Sequence, residues 1–286
     1  MTSERLNYLI FAVALVGLPT ILLFSPWSDM LRPSIPFLLL LITGLWLVSL
    51  RMRDSGIVDI FWGPGIAAMA WWYAFQIGLS SLGVKHLLFL GLVTIWAIRL
   101  GGYLANRNLG QPEDYRYTRM RQSAGDQWWW ISFCKVFFLQ GLIIWTISSV
   151  FWLILTGPAT LTWIDAFGLL LWGLGFFFEA VGDWQLSRFK AELANKGKVL
   201  NTGLWRYTRH PNYFGDACVW WGYFFLAFAH PDAWWFLFSP IYMTFLLLKI
   251  SGVAMLEKDQ TSKKAAKYEA YIAQTSAFIP WWPKVS

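Results

Sequence analysis

The chain has 286 residues, of which 57% are hydrophobic and only 14% are charged. Soluble domains usually carry about 25% charged residues, so this composition excludes a disordered, collagen-like or coiled-coil protein and indicates a membrane protein. The formal net charge of +7 has no accompanying nucleic-acid recognition motif, and we therefore expect no nucleic-acid partner. The two cysteines, Cys134 and Cys218, lie in apolar runs and are too few for a disulfide framework or a thiolate metal cluster.

Long apolar runs predict membrane-spanning helices, because about 20 apolar residues are needed to cross the hydrocarbon of a bilayer. The sequence offers eight runs, which in chain order are Leu6–Phe24, Pro36–Leu50, Ile57–Leu79, His86–Ala105, Trp128–Leu155, Leu161–Val181, Phe214–Ala229 and Trp234–Ala254. The second and seventh runs are short, so seven spans is the alternative count. We expect an all-α, polytopic integral membrane helical bundle of seven to eight transmembrane helices.

The same runs define one membrane domain over residues 1–286, with N-terminal spans in 1–56 and a core in 57–286. Lys and Arg concentrate in the segments 106–127, 183–213 and 255–286, whereas the predicted outer loops hold only Arg32 and Lys85. Cytoplasmic loops carry an excess of basic residues. We therefore expect both termini in the cytoplasm, with the protein in a bacterial inner membrane, and the net charge follows from this topology.

Four acidic residues in or beside the predicted spans stand out: Asp59, Glu179, Asp183 and Asp216. An Asp at a helix centre costs about 2.5–3.5 kcal/mol on the insertion scale, so each acid needs a partner or a function. All four map to the cytoplasmic half of the predicted bundle, which favours one polar cavity open to the cytoplasm. The alternative for each is a helix cap or a structural pair with a nearby Arg.

A stripe of polar residues follows the fourth predicted span. Arg99, Tyr103 and Arg107 are spaced by four and therefore share one helical face, which we expect to point into the bundle. A structural ion pair between Arg99 and Asp59 and a catalytic or ligand-binding role both remain open.

The segment 203–216 concentrates several functional residue types. Pro211 disfavours a helical His210 and suits a first helical turn, so a helix is predicted to begin near Pro211. Its first backbone amides would attract an anionic group such as a phosphate, with Arg206 and Arg209 alongside. Asn212 and Asp216 lie four apart on this turn, where they could hold a carboxamide and a hydroxyl or amide.

The run Arg209-His-Pro-Asn-Tyr-Phe-Gly-Asp216, followed by Trp220-Trp-Gly222, resembles the signature of membrane steroid 5-alpha-reductases and sterol double-bond reductases. The segments 59–65, 96–101, 113–117 and 268–280 are similar to a bacterial branch of that family. The resemblance implies a membrane reductase that binds NADPH from the cytoplasm and delivers hydride to a conjugated C=C of a lipophilic substrate. It also implies contact with membrane lipid.

The resemblance implies cofactor-binding roles for the residues of this sequence that match the family motif: Asp183, Lys190, Tyr207, Asn212, Asp216 and Tyr271. Arg206, Arg209 and His210 are candidates for phosphate contact, and Tyr213 lies within the motif. The family's tyrosine proton donor aligns with Trp96, so Tyr103 or Asp59 would replace it. The catalytic candidates are therefore Asp59, Arg99 and Tyr103.

Two other functions compete with this interpretation. Membrane methyltransferases of the isoprenylcysteine or phospholipid type share the Arg-His-Pro-x-Tyr-x-Gly core and bind S-adenosylmethionine. A transporter or lipid-binding protein would need a pathway open to both faces, whereas the outer loops are short. No metal site is predicted, because His86 and His230 fall on the outer side, away from His210. No Gly-x-Gly-x-x-Gly follows a strand, which excludes a soluble Rossmann domain.

Overall fold

The computed structural model describes residues 3–250, 252–253, 256–257 and 268–284, and within these ranges the chain is helical with no β-strand. The α-helices are α1 (Ser3–Phe24), α2 (Ser28–Leu31), α3 (Ser34–Met52), α4 (Ile57–Ile77), α5 (Val84–Asn108), α6 (Tyr115–Ala124), α7 (Trp128–Ser132), α8 (Leu139–Ser148), α9 (Val150–Thr156), α10 (Trp163–Ala191), α11 (Pro211–Ala227) and α12 (Phe238–Phe245). Residues 268–274 form a further helical segment near the C-terminus.

Six helical stretches of the described chain are long and apolar enough to cross a membrane, which makes the chain compatible with an integral membrane protein. They are Glu4–Phe24, Ser28–Met52, Val84–Asn108, Tyr115–Thr156, Trp163–Ala191 and Ala233–Ile250. The predicted count of seven to eight is not confirmed. Its third and seventh runs form the helices α4 and α11, but neither is among the six.

The two runs differ from the other six in different ways. α11 has 17 residues, at the lower end of the roughly 17–25 that cross the hydrocarbon. α4 has 21 residues, and Asp59, Pro64 and a Trp-Trp-Tyr run interrupt its apolar residues. That α4 and α11 cross the membrane stays a prediction. The predicted eighth span ends at Ala254, which lies outside the described residues, as does much of the tail 255–286.

The chain forms two compact units. The first, here called the N-terminal unit, comprises residues 13–161 and 230–233, and the second, the C-terminal unit, comprises residues 1–12, 162–229 and 234–286. In the N-terminal unit α4 and α5 approach closely, because a Cβ at Gly63 would lie 2.8 Å from the Ala97 carbonyl oxygen. Asp114 caps α6, and its carboxylate accepts from the Arg116 amide at 2.9 Å.

The C-terminal unit is organised by the pair α10 and α11. Glycines recur every seven residues along the contact, at Gly168, Gly175 and Gly182 on α10 and at Gly215 and Gly222 on α11. A Cβ at Gly175 would lie 2.5 Å from the Gly215 carbonyl oxygen. The absence of side chains therefore lets the two backbones touch, as small residues do between membrane helices.

The predicted helix start at Pro211 is confirmed. His210 has φ −141° and ψ 63°, which is not helical, and Pro211 opens α11. α10 begins with a reciprocal cap in which the Thr162 amide donates to the Asp165 carboxylate at 2.7 Å.

Candidate functional site

Acidic and amide side chains meet where α11 begins against α10. Glu179 and Asp183 lie one turn apart on α10, and Asn212 and Asp216 lie one turn apart on α11. The Asn212 side-chain NH₂ donates to the Asp183 carboxylate at 3.1 Å. These four residues, here called the α10–α11 junction, include three that the sequence predicts to bind a cofactor.

The junction is buried, and the close helix contact explains why. Glu179, Asp183 and Asp216 expose 3%, 4% and 8% of their surfaces. A Cβ at Gly182 would lie 3.2 Å from the Pro211 ring, so the first turn of α11 rests directly on α10. The packing therefore places ionisable groups at the helix contact, where each must be satisfied by a partner or a ligand.

The Asn212 amide oxygen has a particular place in this arrangement. It is buried and accepts no hydrogen bond from the residues that the structure describes. Buried acceptors in proteins are nearly always satisfied by a donor. A ligand that carries an amide or hydroxyl donor would fit this oxygen.

Arg209 lies just before the junction, and its guanidinium contacts protein groups. It is 7% exposed, and its Nε donates to the Glu257 carboxylate at 2.8 Å, with Nη2 2.6 Å from the same oxygen. Nη1 donates to the Ile272 carbonyl at 3.3 Å and to the Thr275 carbonyl. The predicted phosphate contact would require this side chain to leave some of these partners.

Glu257 also faces His210, whose Nε2 lies 3.4 Å from the carboxylate. Burial raises the pKa of Glu257, but hydrogen bonds from His210 and Arg209 outweigh it and hold the pKa below its ordinary value. His210 is buried and stacks on the Tyr213 ring, with centroids 5.8 Å apart. Both residues of the predicted motif therefore pack within the protein.

The other predicted cofactor residues divide into buried and exposed. The Tyr271 hydroxyl donates to the Trp205 carbonyl, and burial raises the pKa of Tyr271. Tyr207 contacts the Trp282 ring edge-on at 5.5 Å. Lys190 and Arg206 are exposed, so they present positive charge to solvent.

A hollow of about 380 Å³ lies beside Arg209 in the C-terminal unit. Its lining includes Arg209, Gln274, Trp281, Trp282 and Lys284. No group of three or more His, Cys, Asp or Glu side chains in the described ranges is arranged to hold a metal ion.

Asp59 belongs to a separate polar network in the N-terminal unit. Its carboxylate accepts from Arg116 at 2.8 Å and from the Tyr117 hydroxyl at 2.8 Å. The Gln140 NH₂ donates to the Tyr117 oxygen at 3.2 Å, and Trp62 donates to the Gln140 carbonyl oxygen. No sequence motif predicts a role for Arg116, Tyr117 or Gln140, although Arg116 and Tyr117 fall in the segment 113–117 that resembles the reductase family.

Arg99 and Tyr103 lie on α5 in the same unit, and both are half-buried. The Arg107 guanidinium lies 5.6 Å from the centre of the Tyr103 ring, so these two members of the predicted stripe share a face. The junction and the Asp59 network belong to different units. That they line one cavity stays a prediction.

Comparison with known proteins gives two findings. A family model described as "Protein of unknown function (DUF1295)" matches residues 45–275. An uncharacterized protein of Schizosaccharomyces pombe is 26% identical over 271 residues, which covers 82% of this chain and 75% of the yeast protein. No solved structure matches the chain significantly.

Proposed function

The chain belongs to the DUF1295 family, which is part of the steroid 5-alpha-reductase-like superfamily. From this membership we propose that the protein is a membrane reductase. It uses NADPH to reduce a conjugated C=C, as in an enone, of a steroid-like or other lipophilic substrate. The observation that carries the proposal is the Asp183–Asn212 hydrogen bond at the buried start of α11, beside Asp216. The proposal places the protein in a bacterial inner membrane, and the basic segments favour both termini in the cytoplasm.

The junction fits the polar groups of a dinucleotide. Ribose hydroxyls and the nicotinamide carboxamide can donate hydrogen bonds. Asp183, Asp216 and the buried Asn212 oxygen can accept them. The phosphates need cations, and the exposed Lys190 and Arg206 supply them on the same unit.

NADPH, when bound, would supply the hydride. In the proposal, Asp183, Asn212 and Asp216 bind the cofactor and orient it. Polarising a substrate carbonyl requires a hydrogen-bond donor. Asp59 already accepts a hydrogen bond at each of its two carboxylate oxygens, so we do not assign carbonyl donation to it.

A second candidate is a membrane methyltransferase that uses S-adenosylmethionine. One feature favours it: the junction holds three acidic side chains, and the buried guanidinium of Arg209, three residues before Asn212, is paired with Glu257. Negative charge suits the sulfonium and ammonium groups of S-adenosylmethionine better than it suits a pyrophosphate.

The two functions are separated by calorimetric titration of the detergent-purified protein with NADPH, NADH and S-adenosylmethionine. The reductase proposal expects NADPH to bind in the micromolar range. If S-adenosylmethionine binds and neither NADPH nor NADH does, the reductase proposal is refuted in favour of the methyltransferase. NADPH oxidation in the presence of a panel of enones, including 3-oxo-4-ene steroids, then tests the reaction.

A further inference from the structure

The segment 205–209 is joined to the C-terminal segment along its length. The Arg209 amide donates to the Ser276 carbonyl and the Trp281 amide donates to the Tyr207 carbonyl, both at 2.9 Å. The Thr208 hydroxyl donates to the Phe278 carbonyl at 2.8 Å. The segment before α11 and the segment after residue 268 are therefore held together by backbone and side-chain hydrogen bonds.

The Arg209 side chain contacts the C-terminal segment at the end of a helix. Ile272 and Thr275, whose carbonyls it contacts, lie at the end of the helical segment 268–274, where carbonyls lack partners within the helix. A cation at this end also complements the helix dipole. The same guanidinium pairs with Glu257, so one planar group ties two separate parts of the chain.

We infer that Arg209 is a positioning residue, which caps the segment 268–274 and thereby sets the place of Tyr271, and that it does not contact the phosphates of a ligand. The Tyr271 hydroxyl reaches the Trp205 carbonyl only while this segment lies against residues 205–209. The role in ligand binding rests on the proposed function, whereas the capping role does not.

Arg209 differs in this role from the exposed cations Lys190 and Arg206. Lys cannot reproduce the cap, because its single ammonium lacks the planar fork that reaches a carboxylate and two carbonyls together. Arg209→Lys is therefore expected to act like Glu257→Gln. If Arg209 instead bound phosphate, Lys would keep most of the charge, and Glu257→Gln would leave ligand binding intact.

The first measurement needs no ligand. Hydrogen exchange of the full chain in detergent, read by mass spectrometry, is compared for the wild type, Arg209→Lys, Glu257→Gln and the control Arg188→Lys. Arg188 lies over the exposed Trp184 ring and makes none of the contacts described for Arg209. We expect peptides from 268–284 to exchange at least tenfold faster in Arg209→Lys and Glu257→Gln than in the wild type. Exchange of α3 peptides, and exchange throughout Arg188→Lys, should be unchanged.

The second measurement titrates NADPH and the phosphate-free reduced nicotinamide riboside. The inference expects Arg209→Lys to weaken both by the same factor. Unchanged exchange in 268–284, or a loss of affinity confined to NADPH, would overturn it. A wild type that binds neither compound refutes the reductase proposal alone, because the exchange comparison still decides whether Arg209 is the cap.

Discussion

The substitution Gly215→Ala tests whether the α10–α11 contact depends on bare backbone. A Cβ at Gly215 would lie 2.5 Å from the Glu179 amide nitrogen and 2.9 Å from the Glu179 Cβ. Favourable contacts between carbon atoms lie at about 3.5–4.0 Å, so the helices would have to separate by about 1 Å. Forcing an extra carbon into a packed contact costs about 1–3 kcal/mol.

The matched control is Gly173→Ala on α10, where no atom lies within 4 Å of the added Cβ. Ala replaces Gly in a helix with a gain of about 0.5–1 kcal/mol, so this variant should be as stable as the wild type or more stable. The assay is unfolding of the detergent-purified protein by sodium dodecyl sulfate, followed by circular dichroism. We expect Gly215→Ala to lower the free energy of unfolding by at least about 1 kcal/mol relative to Gly173→Ala.

Equal unfolding free energies for the two variants would refute the reasoning, because they would show that α10 and α11 are not in backbone contact. The same shift should also reach the junction. Asn212 lies one turn before Gly215 and bonds to Asp183 across the contact, so ligand affinity should fall together with stability in Gly215→Ala.

Two further predictions concern the N-terminal unit. Tyr117→Phe removes the hydroxyl between Asp59 and Gln140, and leaving buried polar groups unpaired should cost about 1–3 kcal/mol of unfolding free energy, whereas Tyr115→Phe at an exposed ring should cost little. Identical unfolding curves for the two variants would contradict the network. Burial raises the pKa of Glu113, but the interactions with Arg121 and the Ser55 amide lower it by more than burial raises it. The pKa of Glu113 in the folded protein therefore lies below its ordinary value. Its contribution is therefore complete above pH about 4.5 and is lost as the pH falls through the folded pKa. The free energy of unfolding measured from pH 6 to pH 3 should decrease less in Glu113→Gln than in the wild type, and equal decreases would count against the ion pair with Arg121.

Local sequence rules account for much of the fold. The start of α11 at Pro211 follows from the restricted backbone of proline and of the residue before it. The length of apolar runs also finds most helices. It misses the π-helical turn at Phe133–Phe138, because hydropathy does not report a local change of hydrogen bonding. That α11 crosses the membrane stays a prediction.

Long-range pairing limits what the sequence reveals about the site. Asp183 and Asn212 are predicted together because a family resemblance joins them, and the structure places them in contact. The partners of Asp59 and Arg209 lie 57 and 48 residues away along the chain. Helical periodicity relates neighbours within one helix only. The glycine spacing of seven was the available signal for the α10–α11 contact, and it predicts that contact only when both helices are considered together.

The central claim is that the α10–α11 junction holds the ligand. Calorimetric titration of NADPH and S-adenosylmethionine into the wild type, Asn212→Ala and the control Asn201→Ala tests it directly, because Asn201 is exposed on the same unit. We expect Asn212→Ala to weaken the bound ligand about tenfold, equivalent to about 1.4 kcal/mol, and Asn201→Ala to match the wild type. Equal affinity of all three proteins for a ligand that binds would contradict the claim.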